Sequence, residues 1–143
     1  MRSKAPLALM EQMVMVLIFA LAAALCLRAF ALSDRLSRES EARDGAVVLA
    51  QNAAEICKHS CGDFALLERT LGGEALGYNW TILYGETLEP VTSAAEAAYE
   101  VVVRPEAAEV SGLGRATVSV FELSDGELLF QIPVGWQEVT CHG

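Results

Sequence analysis

Histidine is nearly missing from this chain: only His59 and His142 occur, and neither lies near a nucleophile motif. A glycine loop of the phosphate-cradling kind is missing as well, and Gly112-Leu113-Gly114 reads as a turn. No acid–base pair stands out among so many surface carboxylates. The chain therefore reads as a non-enzyme with no cofactor. Basic residues are scarce too, 10 Lys and Arg against 19 Asp and Glu, for a formal charge of −9. A nucleic-acid binder needs a basic face toward phosphates, so no direct nucleic-acid partner is expected. The sign is equally wrong for a polybasic membrane-surface module. There is no internal repeat and no low-complexity segment. At 143 residues there is room for one sizeable core, and 53% apolar with 20% charged residues excludes disorder by composition.

What the chain does have is an apolar run near its N-terminus. Met13 to Leu27 contains neither charge nor amide. Extended back to Leu7, the run spans about 31 Å as a helix, close to the roughly 30 Å of a bilayer's hydrocarbon core. Glu11 and Gln12 interrupt the extension and Arg28 closes it. A secretory signal peptide would use Arg2 and Lys4 as its basic end and Ala29-Phe30-Ala31 as a cleavage site, but its apolar region would hold no carboxylate. A buried soluble helix would need an equally apolar partner. A membrane anchor is the expectation. Glu11 is its most informative residue, because a carboxylate in an apolar helix is costly in lipid and marks a partner or a function. The plainer reading places it at the interface, at the positive end of the helix dipole. Arg28, Arg35, Arg38 and Arg43 come after the run while only Arg2 and Lys4 precede it, and that count alone puts the C-terminal domain in the cytoplasm.

Helix is expected to continue from Ser33 to His59, where proline is absent and Gly45 is the single glycine, a point at which the helix could bend. Residues 33–44 are polar nearly all round, as in a helix crossing solvent, with Glu39 and Arg43 spaced for a weak i, i+4 pair. Ala46, Leu49, Ala50, Ala53 and Cys57 then take helical spacing and form one buried stripe. Gly62 is a stop, and Asp63 caps a short helix FALLERTL that ends at Gly72-Gly73. Beyond it the period changes to two. Tyr78–Tyr84, Tyr99–Arg104, Ala116–Leu123 and Leu128–Val134 read as four strands, with residues 92–98 a loop or helical turn. Asp125-Gly126 is a hairpin signal between the last two strands, and Pro133 places the fourth at an edge or near its end. In the third strand Ala116, Val118 and Val120 face one way, Thr117, Ser119 and Phe121 the other. Asn79-Trp80-Thr81 matches a glycosylation sequon but reads better as strand with Trp80 buried.

The expected fold is α+β, a long N-terminal helix packed on a small antiparallel sheet of about four strands. Its parts are a basic leader (1–6), a membrane or filament-core helix (7–32), the continuation of that helix (33–62) and an acidic sheet domain (63–143). The last part holds thirteen acidic residues and three arginines, a net of −10. Cys26 reads as a packing residue in the apolar run. A disulfide from Cys141 to Cys57 or Cys61 would pin the tail to the helix end in an oxidising compartment. Cys57, His59, Cys61 and Cys141 could instead supply a Cys3His zinc site, against the C-x3-C spacing; free thiols are the third alternative.

Taken together, the leader Arg2-Ser3-Lys4, the run LALMEQMVMVLIFALAAALCL, the long helix and the sheet resemble a type IV pilin or pseudopilin. With Leu7 as mature position one, Glu11 is the fifth-position glutamate, and the resemblance implies that it meets a neighbour's N-terminal amine during filament assembly. The same resemblance implies processing by a prepilin peptidase around Ala5, Pro6 and Leu7, where the family has Gly before an aromatic residue. It implies pilin-like subunits, an inner assembly platform and the lipid bilayer as partners, and a minor subunit in a type IV pilus, type II secretion or DNA-uptake filament. The implied location is a bacterial cell membrane, single-pass, with the C-terminal domain extracytoplasmic. Two other readings stand beside it: an uncleaved single-pass envelope scaffold that binds a partner, and a membrane-tethered thiol or zinc module.

Overall fold

With no proline between Pro6 and Pro90, one helix runs without interruption through the first two fifths of the chain. A computed structural model of the protein describes residues 5–138. In it α1 spans Ala5–His59, 55 residues, with Pro6 in the first turn, where its missing N–H costs no helical bond. Arg2, Ser3 and Lys4 lie outside the described residues. The chain divides into two compact units after Ser40. The first is the N-terminal part of α1, exposed from Ala8 onward, and it contains a stretch long and apolar enough to cross a membrane.

In the second unit α1 runs from Glu41 to its end and packs on the sheet. Ala46, Leu49, Ala50, Ala53 and Cys57 are all buried, the stripe expected from their spacing, and Ala54 joins them. Gly45 does not interrupt the helix. It is buried, and a Cβ there would sit 3.2 Å from Leu88 Cδ2, so the glycine serves close approach rather than bending. Past His59 the chain turns through Gly62 into α2 (Phe64–Leu71). Asp63 caps α2, its side chain accepting from the Ala65 N–H at 2.9 Å, and Gly72 closes it with an N–H donated to Glu68 O. Leu67 is the one α2 residue fully buried.

Six antiparallel strands complete the unit: β1 (Glu74–Leu76), β2 (Asn79–Tyr84), β3 (Pro90–Val91), β4 (Tyr99–Glu106), β5 (Leu113–Glu122) and β6 (Leu128–Gln137). The order is β1-β2-β4-β5-β6, with β3 also on β2. All four expected strands are present; β1 and β3 are additions too short to leave a periodic signal. β5 starts at Leu113, so Gly114 is a strand residue rather than part of a turn, and only Gly112, at φ 84°, precedes the strand. Pro133 is on the edge strand β6, as its chemistry requires. Pro105 is in β4 beyond the last residue that pairs with β2, where no second neighbour needs its N–H.

Register fixes the two faces. Trp80, Ile82, Tyr84, Val101, Val103, Ala116, Val118, Val120 and Val134 are buried and form one core with the α1 stripe and Leu67. Each large side chain among them contributes roughly 1.5–3 kcal/mol of apolar burial. The other face carries Thr81, Leu83, Glu100, Val102, Ser119, Phe121 and Gln131 in register, and most of these are half-exposed. Residues 92–98 form a turn in which Glu96 N–H donates to Ser93 O, as expected.

Candidate functional site

Glu11 is two turns into α1 and is exposed, as are Leu9, Met10, Met13, Val14 and Met15 around it. It is the only charged residue between Ala5 and Leu27. Leu7 is four residues before it in the same helix, one turn away along α1. The exposed flanks Val16, Leu17, Ile18, Phe19, Leu21 and Leu25 continue an apolar surface on all sides. A surface of that kind is stable only in lipid or against other apolar helices. A single carboxylate in such a surface is costly in lipid unless it sits at the interface or meets a positive group. Ala5, Pro6 and Leu7 form the first turn of α1.

The end of α1 is the second place where expected site residues meet. Cys57 is fully buried under the sheet with a free thiol, and burial pushes its pKa up to about 11. Cys61, one turn later, is disulfide-bonded and stands at a positive φ of 53°. Cys26 is a free, exposed thiol in the apolar half. Of the two pairings expected for the helix end, the one through Cys57 is ruled out, because its thiol is free. Cys141 and His142 lie outside the described residues. The Cys57-His59-Cys61 zinc set is corrected by the same observation. A sulfur in a disulfide is no thiolate ligand, and Cys57 is enclosed while His59 is exposed. Among the described residues no group of three or more His, Cys, Asp or Glu side chains is placed to hold a metal ion.

The element that sequence reasoning missed is aromatic. Trp136 is on β6 directly opposite Gly114, and a Cβ on Gly114 would overlap its indole. The same ring reaches the turn after α1, where a Cβ on Gly62 would be 2.5 Å from Trp136 Cζ2. The only sequence signal for this was two glycines and a tryptophan far apart in the chain.

On the outer face of the sheet, two grooves stand out, about 310 Å³ beside β1–β3 and about 170 Å³ over β4–β5. In the second, Glu106 accepts from the Thr117 hydroxyl and pairs with Arg115 Nε at 3.3 Å, so its carboxylate is held in place. Near the start of β4, burial raises the Tyr99 pKa, with the charges of Glu122, Glu86 and Glu41 adding to it. These three acids therefore gather at the end of the sheet where α1 enters the second unit.

No known family, curated protein or solved structure matches the chain.

Proposed function

We propose that the chain is a membrane-anchored, pilin-like minor subunit that works by packing against other subunits rather than by catalysis. The observation that carries the reading is α1 itself. One continuous helix of 55 residues has an apolar, exposed first part with Glu11 as its single carboxylate, and a last part that forms the core of an antiparallel sheet unit. That is the division of labour a filament subunit needs: one part of the helix for lipid or a bundle of neighbours, the other for a folded head. In this reading Glu11 receives the N-terminal amine of an adjacent subunit, and its partners are pilin-like subunits, an inner assembly platform and a prepilin peptidase.

The disulfide at Cys61 supports an extracytoplasmic head, since structural disulfides persist in oxidising compartments. It opposes the arginine count after the apolar run, and the chemistry of the sulfur is the stronger of the two signals. A loop-charge bias is a statistical preference, whereas a reducing cytosol removes most disulfides. Determining the N-terminus of the protein from native-host membranes by mass spectrometry tests the proposal. A start at Leu7 or Pro6, especially N-methylated, is expected. An intact Met1 would transfer weight to the second reading, an uncleaved single-pass scaffold, which is favoured by Pro6 standing where a pilin leader has glycine.

A further inference from the structure

Charge is divided unevenly between the two units. Residues 1–40 hold five basic and three acidic side chains, and residues 41–143 five basic and sixteen acidic. After the apolar run α1 carries Arg28, Arg35 and Arg38 against Asp34 and Glu39. Arg28, Leu32, Arg35 and Leu36 are spaced i, i+4, i+7, i+8 and so share one helix face. All four are exposed. Arg38 is paired with Asp34 at 3.1 Å, but Arg28 and Arg35 have no ion-pair partner among the described residues. Two guanidiniums with no ion-pair partner among the described residues, beside two exposed leucines, leave this helix face open to a partner.

The second unit carries the matching surface. The β5–β6 hairpin projects Leu123 and Leu128, both exposed, and between them Asp125 and Glu127, also exposed. The turn is held rigid: Glu122 N–H donates to Glu127 O, Gly126 N–H to Glu122 O, and Glu127 N–H to Asp125 Oδ1 at 2.9 Å. No Lys or Arg occurs after Arg115 up to the end of β6. Two leucines flanking two carboxylates on a preformed turn complement two leucines interleaved with two arginines on a helix. Since a helix face and a hairpin tip are different surfaces, the contact is head-to-tail and repeats from copy to copy.

We propose that the Arg28–Leu36 face of α1 in one copy seats on the β5–β6 hairpin of a second copy, with Arg28 and Arg35 on Asp125 and Glu127. This rests on the pilin-like reading for its setting, a row of parallel membrane helices, though not for its contacts. Exposed pairs are weak one at a time, so the interface acts as an aligning contact alongside the apolar helices.

The test uses the full chain in nanodiscs with an R35K substitution, which keeps the charge and supplies an amine for zero-length carbodiimide coupling. Protein with natural isotopes is mixed with ¹⁵N-labelled protein so that links between copies are told apart from links within one. The expected product is a mixed-isotope link from position 35 to Asp125 or Glu127. Self-association is expected to weaken about tenfold in R28E/R35E, and likewise when salt is raised from about 0.05 to about 0.5 M, since two exposed pairs are lost or screened. Recovery is expected when D125K/E127K is mixed with R28E/R35E. Links only within one copy, links to other carboxylates, or self-association unchanged by charge reversal would overturn the proposal. Because the readout needs neither cleavage nor a filament, an intact Met1 together with the expected links would fail the pilin reading and leave this contact standing.

Discussion

The indole of Trp136 occupies the space that a side chain on its cross-strand partner Gly114 would need. The same ring covers Gly62 in the turn after α1, so a single side chain joins the edge strand to the helix end. Gly114→Ala is expected to destabilise the sheet unit by about 1–3 kcal/mol, the usual cost of overpacking a filled site. Chemical denaturation monitored by tryptophan fluorescence measures it. In the Gly114→Ala/Trp136→Ala pair the two losses should fall short of additive, because the ring that clashes is gone. Additive losses would show that the ring and the glycine do not compete for space.

Cys57 makes the stability of the second unit sensitive to alkali. Its folded pKa is pushed up to about 11, against an ordinary value of 9.0, so the folded state holds the thiol proton more tightly than the unfolded chain does. The contribution is fully present below pH 9 and is lost as pH rises toward 11, amounting to at most about 2–3 kcal/mol across that window. Tyr84 and Tyr99 shift in the same direction, so the difference between the wild type and Cys57→Ala is the measurement. The wild type should lose more stability between pH 9 and 11 than the variant. Parallel curves would refute the assignment.

Thiol labelling distinguishes the cysteines. In the folded protein in detergent, Cys57 is expected to stay protected from a small maleimide until the unit unfolds. Cys61 should label only after reduction. Reduction should lower stability by roughly 2–4 kcal/mol, the usual range for a structural disulfide. Labelling of Cys61 without reductant would contradict the bond, and with it the support for an extracytoplasmic head.

Leu67 and Leu66 are neighbours in α2 with opposite fates. Leu67 is fully buried in the common core, while Leu66 is exposed. Leu67→Ala is expected to cost about 2–5 kcal/mol, and Leu66→Ala within about 0.5 kcal/mol of nothing. Similar costs in thermal denaturation would mean that α2 is not docked by Leu67.

Glu11→Gln removes the one charge between Ala5 and Leu27 while keeping the shape of the side chain. Membrane insertion is expected to be retained or improved, since the carboxylate opposes it. On the proposed pilin-like reading, incorporation into filaments in the native host is expected to be lost. A Glu11→Gln protein that assembles like the wild type would remove the role given to Glu11.

Much of this fold was legible in the residues. The 3.6-residue spacing of Ala46 to Cys57 and the alternation in β2, β4, β5 and β6 are local patterns, set by which side of an element each side chain leaves. Asp63 and Gly72 mark the ends of α2 by local hydrogen bonding, and Asp125-Gly126 marks its hairpin for the same reason. The short strands β1 and β3 left no such trace, because two or three residues are too few to show a period and their pairing depends on β2 being already in place.

The sequence alone therefore determined the main elements, the apolar stretch of α1, the position of Glu11 within it and the acidic excess of the sheet region, all of which are properties of neighbouring residues. Tertiary structure decided the rest. It left Cys57 as a free thiol inside the core and made Cys61 the bonded cysteine. It turned Gly45 from an expected bend, and Gly114 from an expected turn residue, into seats for Leu88 and Trp136. The reason is the same in each case: burial and close approach are set by residues distant in the chain, and no local pattern carries that information.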